Sequence, residues 1–124
     1  MLRVDHIGIE ARDARRAATA LAEILAAPAP TPDGADGDMF RVDLEDGSFV
    51  LFSAAPRGEV AHAHVAFHVE AARFAEVVAR LRGRGAAFGN EPEDSENGRT
   101  DDPLGGAGRV YFADEDGHLW EVTC

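Results

Sequence analysis

The chain has 124 residues, enough for one domain that buries roughly two thirds of the surface its unfolded form exposes. Its 12 basic residues, all of them arginine, stand against 23 acidic ones for a formal charge of −11; that balance repels phosphate backbones and anionic membranes, and the lack of lysine excludes Schiff-base chemistry. The only cysteine, Cys124, excludes an internal disulfide and a cysteine metal cluster.

Residues 3–10, RVDHIGIE, alternate in the strand manner, with Ile7 and Ile9 on one face and His6, Gly8 and Glu10 on the other. From Asp13 to Ala27 the spacing becomes helical: Ala17, Leu21, Ile24 and Leu25 share one stripe, and Asp13 is the expected N-cap. Residues 28–38, PAPTPDGADGD, read as a loop. MFRVDL at 39–44 and SFVLFS at 48–53 are predicted strands of a hairpin whose turn is Glu45-Asp46-Gly47. After a linker, HAHVAFHV at 62–69 alternates again, with Ala63, Val65, Phe67 and Val69 opposite His62, His64, Ala66 and His68. A helix over 71–84 follows, with Phe74, Val77, Val78 and Leu81 as its buried stripe, and residues 86–88 are read as the start of another strand. The polar stretch 89–108 is read as a lid or a plain connection, and RVYFA (109–113), a turn over 114–117 and HLWEVT (118–123) close the chain.

Element order thus repeats, which predicts a single α+β domain over 1–124 made of two βαβββ modules, about 1–56 and about 60–124, forming a curved mixed sheet around a cavity. A shift of 58 places His6 on His64 and Ile9 on Phe67, and a shift of 70 places Gly47 on Gly117 and Leu51 on Glu121. The difference of 12 falls in the polar stretch 89–108.

A lone strand histidine is usually structural, but His6 and His64 hold equivalent places, each opposite the aliphatic face that must meet a helix. Glu121 sits between Trp120 and Val122, where a buried carboxylate needs charge pairing or a metal. Two imidazoles and one carboxylate suit Fe(II), Mn(II), Ni(II) or Zn(II) and leave positions open for substrate. His6, His64 and Glu121 are therefore the candidate metal ligands, with Phe49 and Leu51 as an apolar wall for substrate. His68 and Tyr111 are candidate acid or base groups, and His62 and Arg109 candidate substrate contacts. His118 and Trp120 are read as structural.

DHIGIE, the FVLF strand, HVAFHV and above all YFADEDGHLWE are similar to segments of the vicinal-oxygen-chelate superfamily, which includes glyoxalase I, bleomycin-resistance proteins, fosfomycin-resistance enzymes and extradiol dioxygenases. The resemblance spans almost the whole chain and implies the same three ligands. Leu51 stands where glyoxalase I carries a glutamate, and Glu115 where the family usually has proline. The His, His, Glu set instead resembles that of fosfomycin-resistance enzymes and extradiol dioxygenases. A metal-dependent dioxygenase-like or lyase- or isomerase-like activity on a small oxygenated, aromatic substrate is the resulting expectation; the alternative is a metal-free protein that sequesters an antibiotic or metabolite. The resemblance also implies a homodimer. With no apolar run near the roughly 18 residues of a membrane span and no signal-peptide pattern after Met1, a cytoplasmic location is expected.

Overall fold

The computed structural model describes residues 1–124, which divide into two compact units, Met1–Ala61 and His62–Cys124. The first contains β1 (His6–Ala11), α1 (Ala14–Leu25), β2 (Thr31–Asp33), β3 (Met39–Asp43) and β4 (Phe49–Ala54); the second contains β5 (His64–His68), α2 (Ala71–Gly83), β6 (Arg109–Ala113) and β7 (Leu119–Thr123). The class is α+β, with one mixed sheet in each unit.

In the first unit the strands lie in the order β1, β4, β3, β2. β1 runs parallel to β4, with His6 opposite Phe49 and Gly8 opposite Leu51, while β3 is antiparallel to β4, with Arg41 opposite Leu51. Period-two alternation turns Ile9, Ala11, Val42, Val50 and Phe52 to the buried side, and α1 lies against β1, β3 and β4. The helix begins where expected: Asp13 Oδ1 accepts from the Arg16 N–H at 3.0 Å. The edge strand β2 falls inside the stretch read as loop. An outermost strand needs ladder bonds on one side only, so Pro32, opposite Phe40, is tolerated there.

The second sheet, in the order β5, β7, β6, repeats this plan. β5 is parallel to β7, with His64 opposite Leu119 and Ala66 opposite Glu121; β6 is antiparallel to β7, with Tyr111 opposite Glu121. Phe74, Val77, Val78 and Leu81 are the buried residues of α2. The hairpin turns match as well: Gly47 N–H donates to Leu44 O and Gly117 N–H to Asp114 O, at 3.2 and 3.1 Å, and both glycines take a left-handed φ, +87° and +83°, that a side chain would oppose.

The strand expected after α2 is reduced to a bridge, in which Gly89 and Tyr111 exchange both backbone hydrogen bonds. The chain cannot continue as a strand because it folds back at once: Asn97 Oδ1 accepts from the Asn90 and Arg99 N–H groups, and Gly98 N–H donates to Phe88 O. Stretch 89–108 is thereby tied by its own polar groups, with buried Asn90 also donating to Asp101. No helix is long and apolar enough to cross a membrane.

Candidate metal centre

Parallel pairing of β5 and β7 carries two of the candidate ligands onto one face of the second sheet. His64 Nδ1 lies 2.8 Å from the Leu119 carbonyl oxygen. A carbonyl only accepts, so Nδ1 carries the hydrogen and Nε2 is the nitrogen left to bind. Nε2 lies 3.0 Å from Glu121 Oε1. Two lone pairs facing each other at that distance repel unless a proton or a metal cation stands between them, which is the arrangement a metal-binding pair presents. The carbonyl behind His64 matches the outer partner that orients a ligating imidazole. His64 is half exposed and Glu121 buried. The Tyr111 ring lies nearly parallel to the His64 ring, with centroids 6.1 Å apart.

The buried carboxylate has a second partner. Arg109 Nη1 donates to Glu121 Oε2, and its Nε donates to Asp102 Oδ1 at 2.9 Å. Arg109 faces Thr123 in the ladder, so Glu121 is its diagonal neighbour, within reach of a long side chain. The hydrogen bond from Arg109, then the backbone N–H of Leu104, holds the Asp102 carboxyl below the usual range. Charge pairing therefore accompanies the burial of Glu121.

The first unit holds His6 in a comparable state. Asp5 Oδ2 lies 2.7 Å from His6 Nδ1, and this hydrogen bond lowers the Asp5 carboxyl, so an ionised acceptor fixes the proton on Nδ1 and again leaves Nε2. The His6 ring stacks on Phe49, with centroids 4.9 Å apart at 12°. Arg41 places its guanidinium carbon 3.5 Å from the Phe49 ring centroid and pairs with Asp43 at 2.8 Å. Each imidazole thus keeps Nε2 as its binding nitrogen, and within the second unit His64 and Glu121 form a donor pair of the chemistry that a borderline divalent ion takes. Neither unit alone gathers three or more His, Cys, Asp or Glu side chains into a metal-holding group.

The other candidates fall in different surroundings. His68 is exposed on the His64 face, with Nδ1 2.9 Å from Thr123 Oγ1. Leu51 lies across from Gly8 and Arg41 in the first sheet. His62 precedes β5 instead of joining it; its ring lies against Gly117 and edge-on to His118 at 6.3 Å. His118 has the opposite tautomer to His64: its Nδ1 accepts from the Ala63 N–H at 3.0 Å, and it is fully buried. Three residues near these groups carry no strong sequence signal. Asp5 and Asp102 look like ordinary surface acids, and only the alternation of MFRVDL places Arg41 on the face of Phe49 and Leu51.

Comparison with known proteins agrees with this architecture. The solved structure of the oxidase ChaP-H1 is 30% identical, with a TM-score of 0.88, and the match covers 98% of this chain and 94% of that one. The oxidase ChaP-H2 is 26% identical, with a TM-score of 0.86 over 98% and 91% of the two chains. The fosfomycin resistance protein FosX from Listeria monocytogenes, complexed with Mn(II) and sulfate, shares the fold at 17% identity, with a TM-score of 0.67 over 100% and 90%. No curated relative matches the chain at a significant level. The family model for the Glyoxalase/Bleomycin resistance protein/Dioxygenase superfamily matches residues 3–122, and the chain belongs to that superfamily.

Proposed function

We propose that this chain is a metal-dependent enzyme that oxidises a small oxygenated, aromatic substrate with dioxygen, and that His6, His64 and Glu121 hold one divalent ion, Fe, Mn, Ni or Zn. One observation carries this reading: His64 Nε2, with its proton fixed on the opposite nitrogen, faces Glu121 Oε1 at 3.0 Å. The equivalent place of His6, with Nδ1 bound by Asp5, supports it as the third ligand. The oxidase at 30% identity favours oxidative chemistry over isomerisation or elimination, and Mn(II) in FosX supports a divalent ion in this fold.

When bound, such an ion supplies Lewis acidity toward substrate oxygens. The remaining roles fall to the chain itself. Leu51 gives an aromatic ring apolar surface to lie against, while Phe49, stacked by His6 and covered by Arg41, backs the His6 imidazole. His68, anchored through Nδ1 by Thr123, is the proposed base, exchanging a proton at Nε2. Tyr111, stacked beside His64, holds that ligand's ring in place and offers a phenolic proton.

Metal analysis of protein made under metal-replete conditions tests the proposal. We expect close to one ion per chain, lost in His6→Ala and in Glu121→Ala. Wild-type protein that binds none of the four metals refutes it. A second reading, a metal-free binding protein for an aromatic ligand, is favoured by one feature: Arg109 already balances the Glu121 charge. Tight binding of an aromatic ligand by metal-free protein, with no metal uptake, selects that reading.

A further inference from the structure

We infer that Arg109 is a positioning residue for Glu121, holding Oε2 so that only Oε1 is offered, beside His64 Nε2, to the divalent ion. This rests on the metal reading above and replaces the expectation that Arg109 meets the substrate.

The inference starts from where the two oxygens of Glu121 are spent. Oε1 lies beside His64 Nε2, and Oε2 accepts from Arg109 Nη1. The guanidinium is itself fixed, because its Nε donates to Asp102. Asp102 is in turn a rigid acceptor: its Oδ1 takes the Leu104 N–H at 2.8 Å and its Oδ2 the Gly106 N–H at 3.0 Å. Arg109, Asp102 and Glu121 are all largely shielded from solvent. A planar fork with several donors can join two carboxylates in one fixed geometry, which an ammonium group cannot.

The duplication gives an independent line of support. In the first sheet the place of Glu121 belongs to Leu51 and the place of Arg109 to Met39, by the same shift of 70. The arginine and the carboxylate therefore occur together on one sheet and are missing together from the other. An arginine serving only the substrate would not need to track the ligand in this way. Held at Oε2, Glu121 would offer a bound ion one oxygen, and the hydrogen bond from Arg109 would draw electron density from that carboxylate.

Binding of Mn(II) and of Co(II) alone to purified full-length protein tests this. Arg109→Met should weaken Mn(II) binding about 10–100-fold, the range for loss of an outer partner of a metal ligand. It should also change the visible spectrum of the Co(II) form, because a released carboxylate is free to bind through both oxygens and raise the coordination number. Arg109→Lys should recover only part of the loss. A purely structural role would lower thermal stability and leave the Co(II) spectrum unmoved, and that result, with unchanged affinity, overturns the inference while the metal reading stands. Should Arg109→Met fail to fold, Arg109→Lys decides by the same two readouts, wild-type affinity and spectrum overturning the inference. A wild-type protein that binds neither ion removes the metal reading and this inference together.

Discussion

Gly108→Ala tests how the start of β6, and with it Arg109, is fixed. Gly108 is buried, its carbonyl accepts from the Cys124 N–H at 3.0 Å, and the Phe74 ring of α2 lies over it. A Cβ at this position would fall 2.5 Å from Phe74 Cε1, 2.7 Å from Cζ and 3.0 Å from Cδ1. Carbon atoms do not approach so closely, and Phe74 is itself buried, so the ring cannot simply swing into solvent. Overpacking of this kind costs about 1–3 kcal/mol. For a chain of this size a loss of 1 kcal/mol lowers Tm by roughly 3–6 °C, so a fall on the order of 3–18 °C is expected. The cause is separable from a backbone effect by a double-mutant cycle. Phe74→Leu removes the two nearest ring atoms and alone costs roughly 1–1.5 kcal/mol; combined with Gly108→Ala, the two changes should cost at least about 1 kcal/mol less than their sum. Urea unfolding of the four proteins measures this, and costs that add within about 0.5 kcal/mol refute the steric account.

Two further outcomes are expected. Asp114→Ala should destabilise by about 2–4 kcal/mol in urea unfolding, because Asp114 accepts from the Asp116 and His118 N–H groups and from the Trp120 indole, each at 3.0 Å, and Trp120 is buried; a loss below about 1 kcal/mol contradicts that count. Acid should weaken the fold from below the usual carboxylate pKa of 3.8: hydrogen bonds from Ser48 lower Asp46 and those from Arg109 and Leu104 lower Asp102, so their stabilisation is complete above the unfolded value and disappears as pH falls through the folded one. In Asp46→Asn and Asp102→Asn the acid limb of a urea-midpoint against pH plot should be shallower than in wild type, and parallel curves refute the assignment.

Much of the fold was legible because burial writes itself into spacing. The buried stripe of α2 is the one that helical periodicity names, and β6 spans the residues that alternation assigns. Elements without an apolar signature were not legible. β2 is three residues with a proline, held by its neighbour and not by its own pattern. His62 continues the alternation of HAHVAFHV, yet β5 starts at His64, because the chain before it is drawn to the buried His118 side of the turn. The meeting of His64 with Glu121 is foreshadowed by the duplication, whereas the diagonal from Arg109 to Glu121 exists only once the β6 and β7 register is known. Within YFADEDGHLWE, Asp114, Gly117, His118 and Trp120 build the turn and core, and among these motif residues Glu121 is the candidate ligand. A motif can therefore be highly specific for a family while most of its residues serve folding.

The same shift that reveals the duplication shows where its two copies parted. Across three strands the first sheet carries Gly8, Leu51 and Arg41, and the second carries Ala66, Glu121 and Tyr111 at the same ladder positions. One copy has a fixed cation where the other has a phenol, and a hydrocarbon where the other has a carboxylate. On the first face Arg41 pairs with two carboxylates, Asp43 and Asp33. On the second face Arg109 is flanked by two carboxylates, Asp102 and Glu121, so that trio keeps one net negative charge. Each trio thus carries one net negative charge, and what separates the sheets is placement: only in the second does a member of the trio, Glu121, also lie beside an imidazole, that of His64. On the metal reading proposed above, the divergence of Leu51 from Glu121, together with that of Met39 from Arg109, is what would give the second sheet its anionic ligand.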